Sequence, residues 1–161
     1  MATYTDSLGF NKGTAAAYPD NGLHRLTRIE VDLDFAAITA ARAAAGATAL
    51  GAGDVLEVLR IPAKTQVIAV GVDVTKAEGG TLTLDVGDGV DPDGFLDGVN
   101  GNTAAGYSST TVTLVEGAPN TLSPAFGFGK YYGAADTIDV TTVNAADLAV
   151  VRVWAIVADC N

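Results

Sequence analysis

The chain has 161 residues, 48% of them hydrophobic, and carries 19 acidic against nine basic side chains, for a net charge of −10. This length suits one domain with a core large enough to need no disulfide. The negative charge excludes nucleic-acid binding as a main activity, because phosphate contacts depend on Lys and Arg, and it disfavours an anionic membrane surface.

The first segment, residues 1–23, shows no sustained periodicity and is interrupted by Gly and Pro. It lacks the basic and apolar stretches of a secretory signal, and no run of the chain predicts a transmembrane helix, so we expect a protein made and kept in a cytoplasm, or assembled into a larger structure there. We expect either a frayed end or an extended N-terminal arm that orders on a partner, followed by a single β domain at 24–161. The candidate contacts of the arm are Tyr4, Phe10 and Tyr18.

A strand over 29–35 is predicted by strict alternation of apolar and charged residues. The Ala-rich run at 36–45 predicts a short helix that Gly46 ends. Further strands are predicted at 54–61, 66–75, 81–86, 110–116, 126–132, 137–143 and 147–158, with a long Gly- and Asp-rich loop at 87–109 that Phe95, Leu96 and Tyr107 could tether.

The last predicted strand is apolar on both faces, one with Val151, Val153 and Val157 and the other with Trp154. Such a strand lies either at the centre of a covered sheet or at a contact between subunits, and we expect Trp154 to be buried. The pattern as a whole predicts an all-β fold, an antiparallel β-sandwich or jelly roll with one short Ala-rich helix.

Catalytic chemistry has little support in the sequence. His24 is the single histidine and has no nucleophile motif nearby, and the lone Cys160 lies next to Asp159 and the C-terminus, where negative charge disfavours a thiolate. One Cys and one His cannot form a zinc site alone. Asp32 and Asp34 share a strand face but are typical of a solvated surface, so we predict no enzymatic activity and no cofactor.

The segment 85–98 contains five Asp and resembles a calcium loop in composition. No EF-hand spacing fits, because a start at Asp91 places Phe95 and Leu96 where a ligand and a Gly are required, and a start at Asp88 places Val90 at the third position. We expect an acidic turn-rich loop, with weak cation binding left open.

Four stretches together resemble small virion proteins of tailed bacteriophages, including the cement proteins of roseobacter siphophages: 34–46, 54–65, 70–89 and 93–98. The resemblance implies a protein bound to the major capsid protein on the outside of the shell, commonly as a homotrimer, and assembled in the host cytoplasm. It implies no catalytic residue.

Two alternatives stay open at this point. A carbohydrate- or receptor-binding β-sandwich of a phage fibre would need exposed aromatic residues, for which Tyr131 and Tyr132 are the best candidates. A minor tail or head-completion protein would be distinguished by its location in the virion.

Overall fold

The computed structural model describes residues 26–109, 126 and 129–160. The predicted arm with Tyr4, Phe10 and Tyr18 lies outside the described residues, and so do His24 and the strand predicted at 110–116. Those predictions therefore stay predictions.

The described chain consists of nine strands and one helix. The strands are β1 (Leu26–Asp34), β2 (Val55–Ile61), β3 (Thr65–Lys76), β4 (Thr83–Gly87), β5 (Leu96–Asn100), β6 (Gly106–Ser108), β7 (Lys130–Tyr132), β8 (Asp136–Thr142) and β9 (Val150–Asp159), and the helix is α1 (Phe35–Ala44).

Two antiparallel sheets are formed by these strands. In the described part, the five-stranded sheet has the order β1-β9-β3-β6 with β7 also paired to β3, and the four-stranded sheet has the order β2-β8-β4-β5. Apolar side chains from both sheets form one buried cluster. The predicted all-β sandwich with one short helix is confirmed.

The turn from β1 into α1 follows from local capping chemistry. The Asp34 carboxylate accepts hydrogen bonds from the backbone N–H groups of Ala36 (3.0 Å) and Ala37 (3.1 Å), which otherwise have no partner in the first helical turn. Phe35 and Ile38 face the core, and the helix ends at Ala44, two residues before Gly46. The predicted helix is confirmed to within one residue at each end.

An irregular register in β2 explains why the sequence of this strand has apolar residues on both faces. The pairing with β8 shifts between Glu57 and Leu59, so Val58 and Leu59 are both buried although they are adjacent. A β-bulge of this kind adds one residue to one strand and re-aims the side chains that follow.

β6 and β7 lie in line along one edge of β3. β6 pairs with Gly71–Asp73 and β7 pairs with Thr65–Val67, both antiparallel to β3. Beyond β6, the backbone N–H of Ser109 donates to the carbonyl of Val70 at 2.8 Å. The chain thus leaves β3 opposite Val70 and rejoins it opposite Val67.

The prediction of one long loop over 87–109 is wrong, because β5 and β6 lie inside it. β5 pairs with β4, and its Leu96 and Val99 are fully buried. Phe95, Leu96 and Tyr107 do hold this segment to the domain as expected, since Phe95 is also buried and Tyr107 packs against the core. Gly and Asp residues around these short strands conceal the alternation that would have indicated them.

The start of β9 also differs from the prediction, since the strand begins at Val150 and not at residue 147. The buried Glu78 carboxylate accepts hydrogen bonds from the backbone N–H groups of Asp147, Leu148 and Ala149 at 2.7–3.1 Å. These donors would pair with a neighbouring strand if β9 continued, so the Glu78 side chain replaces strand pairing there.

Candidate interaction surface

β9 occupies the centre of the five-stranded sheet, between β1 and β3. Val151, Val153 and Val157 point inward and are buried in the core between the two sheets. Trp154 points to the outer face and is half-buried, so the expectation that it lies in the core is wrong. Because both faces of β9 are apolar, its own periodicity could not tell the inner face from the outer.

The Trp154 ring rests against the backbone of Gly71 on the neighbouring strand. A Cβ added at Gly71 would overlap the ring, so only glycine allows this close approach. The Arg28 guanidinium lies over the ring, 5.1 Å from its centroid, in cation–π geometry. The indole is thus held between a glycine and an arginine on the outer surface.

Charged side chains surround this stack. Arg152 donates to both oxygens of Asp32, at 2.8 and 3.1 Å, and lies 4.0 Å from Glu30. Arg28 lies 2.9 Å from Glu30. We call this surface the Trp154 face and define it by six residues: Arg28, Glu30, Asp32, Asp73, Arg152 and Trp154.

Asp32 and Asp34 have separate roles in the structure. The hydrogen bond from Arg152 outweighs partial burial and holds the pKa of Asp32 below its usual value. Asp34 caps α1. The two carboxylates therefore have different partners and different structural roles.

The outer face of the four-stranded sheet has a different character. Strand alternation and register place Glu57, Asp85, Asp139, Thr137 and Thr141 on it, and we call it the carboxylate face. Burial raises the pKa of Asp85, although the backbone N–H of Gly98 donates to its carboxylate at 2.9 Å. Asp139 is only 6% exposed.

The acidic segment 85–98 is organised around a buried ion pair. Asp88 is 1% exposed, pairs with Lys130, and accepts a hydrogen bond from the Tyr132 hydroxyl at 2.8 Å. The same carboxylate accepts from the backbone N–H groups of Val90 and Asp91. Burial alone would raise the pKa of Asp88, but these hydrogen bonds bring it below its usual value. One of the five Asp residues of this calcium-loop-like segment is therefore paired with a lysine of the same chain.

Two aromatic rings anchor the same segment. Phe95 and Phe126 meet edge to face with ring centroids 4.9 Å apart, and the Lys130 ammonium lies 4.1 Å from the Phe126 centroid. The segment is therefore held by a packed aromatic pair as well as by its ion pair.

Within the described residues, no group of three His, Cys, Asp or Glu side chains could hold a metal ion. No helix of that part of the chain is long and apolar enough to cross a membrane. Cys160 is partly buried and its thiol lies 3.6 Å from the Ala158 carbonyl.

Sequence reasoning missed the residues that complete the Trp154 face and the ion pair of the segment 85–98. Arg28 and Asp73 join Trp154 because β1 and β3 flank β9, and Lys130 meets Asp88 from 42 residues away. The alternation of Arg28, Glu30 and Asp32 did indicate one outward face. The pairing that brings Arg152 and Trp154 beside it is long-range and leaves no local signal.

Comparison with known proteins gives similarity in structure only. No protein-family model matches the chain, and no curated protein sequence matches it. A chain from the capsid of Ralstonia phage GP4 is 14% identical with a TM-score of 0.54, and the match covers 99% of this chain and 91% of that one. A chain from the capsid asymmetric unit of cyanophage Pam1 is 14% identical with a TM-score of 0.53, with 98% and 91% covered.

A third similar chain comes from the acidic stable capsid structure of Helicobacter pylori bacteriophage KHP30. It is 13% identical with a TM-score of 0.50, and the match covers 83% of this chain and 90% of that one. At these identities the similarity shows a shared fold, and in the first two comparisons it extends over nearly the whole length of this chain.

Proposed function

We propose that the chain is a structural protein of a bacteriophage virion that binds the outside of the capsid shell and stabilises it. The observation that carries the proposal is the near-full-length similarity in fold to chains from three phage capsid structures. Two of the matches cover 98% or more of this chain and the third covers 83%, and each covers at least 90% of the other chain, so the similarity involves the domain as a whole.

The charge of the chain supports an outer position. A net charge of −10 repels packaged DNA, whose affinity for proteins comes from Lys and Arg at phosphates. The same charge favours solubility of a protein that faces solvent on an assembled particle. The partner in this proposal is the major capsid protein.

The Trp154 face is our candidate for contact between copies, in the homotrimer that a cement protein would form. Trp and Arg are the side chains most often responsible for binding energy at protein interfaces. Here Trp154 is flanked by Arg28 and Arg152, and Leu26 at the start of β1 is 68% exposed. Many such contacts repeated over a shell can be individually weak and still hold it firmly.

The N-terminal arm is our candidate for reaching the capsid, through Tyr4, Phe10 and Tyr18. Deletion of residues 2–20 should leave the β domain folded and reduce occupancy on the shell. An unchanged occupancy would remove the arm from the proposal.

The decisive experiment adds the purified protein to capsids of its phage that lack it. Cryo-electron microscopy should then show density for the β-sandwich outside the shell, and the capsids should resist heat better than before addition. Absence of density, or density confined to the tail or the interior, would contradict the proposal.

Self-association needs a separate test with a matched control. Native mass spectrometry should show a trimer that Arg28→Ala and Trp154→Ala weaken. Arg60→Ala removes the same type of side chain from the opposite sheet and should leave the trimer intact. A monomer at high micromolar concentration, or equal loss in all three variants, would contradict the assignment of this face.

The carbohydrate-binding alternative gains one observation from the structure, because Trp154 is on the outer surface. Gly71 and Arg28 lie against its ring, however, and occupy the space where a sugar would stack. Specific signals on a glycan array that disappear in Trp154→Ala would favour this alternative.

A further inference from the structure

Asp139 occupies an unusual position on the four-stranded sheet. Its neighbours in β8, Ile138 and Val140, point into the core, so Asp139 points to the outer carboxylate face. A carboxylate on an outer sheet face is normally solvated, yet only 6% of Asp139 is exposed. One of its oxygens, Oδ1, is buried and has no hydrogen-bond partner.

Two neighbouring strands close the space around this carboxylate. Glu57 on β2 is its direct cross-strand partner, and Gly87 on β4 is its partner on the other side. The loop after β4 folds back over Gly87 so tightly that a Cβ there would overlap the backbone of Asp91 and Pro92. Cβ atoms of direct cross-strand partners lie about 4.5–5.5 Å apart, so the Asp139 and Glu57 side chains are neighbours on this face.

Three carboxylates lie close enough to Asp139 to raise its pKa. They are Glu57 from β2, Asp136 from its own strand, and Asp88 from the loop after β4. The Lys130 ammonium and the Tyr132 hydroxyl from β7 are both bound to Asp88. β2 also contributes Arg60, which lies opposite Thr137 in the register. The Thr137 hydroxyl bonds to the Asp139 carboxylate.

We propose that Asp139 is a proton-binding site, and that in its neutral form it donates a hydrogen bond from Oδ1 to the Glu57 carboxylate across β2 and β8. The proton comes from solvent and converts the carboxylate into a carboxylic acid. A buried unpaired anion is costly, whereas a neutral acid next to an acceptor is satisfied. Among the described residues, no group of three His, Cys, Asp or Glu side chains at this place could hold a metal ion.

The electrostatics of the site agree with this geometry. Burial, reinforced by the charges of Glu57, Asp136 and Asp88 and opposed by the hydrogen bond from Thr137, raises the pKa of Asp139 to about 6. The folded protein therefore takes up this proton between the ordinary Asp range and neutrality. The link between β2 and β8 is then stronger in mild acid than at neutral pH.

The test is a carbon-detected NMR titration of the Asp side-chain carboxyl groups in the intact protein. We expect the Asp139 signal to move with a midpoint near 6, about two pH units above an ordinary exposed aspartate. A midpoint at or below about 4 would overturn the proposal even if no variant folds.

A pair of variants tests the contribution of Glu57. Glu57→Gln should lower the Asp139 midpoint by at least half a unit, because it removes the negative charge beside Asp139. Asp97→Asn makes the same acid-to-amide change on β5 and should leave the midpoint where it is. An unchanged midpoint in Glu57→Gln, or equal shifts in both variants, would exclude Glu57 as the partner. The inference concerns the chain alone and does not depend on the proposed function.

Discussion

The two outer faces of the sandwich differ in how their charged side chains are placed: one has exposed ion pairs and the other has a buried carboxylate. On the Trp154 face, Arg152 pairs with Asp32 and Arg28 pairs with Glu30, in groups whose side chains are about half exposed. On the carboxylate face, Asp139 is buried, its Oδ1 has no hydrogen-bond partner, and burial together with the charge of Glu57 raises its pKa. Exposed pairs contribute little to stability because water screens them, whereas buried charges contribute strongly in either direction. The largest effects of substitution on stability should therefore come from the buried carboxylates of Asp88 and Asp139.

Loss of Asp88 should produce the largest change. Asp88→Ala leaves the Lys130 ammonium without its counterion and the Tyr132 hydroxyl without its acceptor, which should lower the free energy of unfolding by about 3 kcal/mol. Urea unfolding measures this. Asp97→Ala, at an exposed position of β5, is the control and should have no such effect. Equal midpoints for Asp88→Ala and the wild type would show that the ion pair is not structural.

Removal of the charge at Asp139 should have the opposite sign. The folded-state pKa of about 6 lies above the ordinary value of 3.8, so the group stabilises the fold in acid and this contribution is lost as pH rises through 6. Asp139→Asn resembles the protonated acid and should stabilise the protein at pH ~7.5 by on the order of 2 kcal/mol.

A measurement of Asp139→Asn at a second, lower pH provides the control. Near pH 4 the wild-type acid is already protonated in the fold, so the advantage of Asp139→Asn should vanish there. Thermal unfolding at the two pH values gives the comparison. A variant that is less stable than the wild type at pH ~7.5 would contradict the sign.

Overpacking should disturb the Trp154 face to a smaller extent. Gly71→Ala places a methyl group into the Trp154 ring and the Tyr107 carbonyl, which should cost about 1.5 kcal/mol. Gly80→Ala is the matched control, because nothing lies within 4 Å of an added Cβ there. Denaturation midpoints that fall equally in both variants would point to a general backbone effect.

The smallest effect is expected at the exposed ion pair. Asp32→Asn removes the bidentate partner of Arg152, but the two side chains are 55% and 39% exposed, so stability should change by little more than the error of measurement. Raising the salt concentration should reduce even that difference. A large loss of stability would mean that the Trp154 face is more rigid than its exposure indicates.

Local pattern was sufficient for much of the fold. The alternation in β1, the Ala run of α1 and the apolar runs of β2, β3 and β4 predicted these elements to within a few residues. Each has a regular period over at least five residues, or a capping residue such as Asp34 that marks its start.

The features that could not be predicted depend on contacts between distant segments. β6 and β7 are three residues long and exist because the edge of β3 is available to both. The side of β9 that faces outward is decided by its pairing with β1, which places Glu30 opposite Trp154. The loop after β4 returns over Gly87 and brings the backbone of Asp91 and Pro92 against that strand. None of these contacts leaves a trace in the local sequence.

The in-line arrangement of β6 and β7 bears on how the chain can vary in length. The two short strands pair with the same edge of β3, one after the other. The last hydrogen bond beyond β6 is to Val70, and β7 pairs with β3 up to Val67. Each register is fixed by its own pairs, β6 with Gly71–Asp73 and β7 with Thr65–Val67. Neither pairing sets the number of residues that separate the two strands along the chain, so a change in that number is compatible with both.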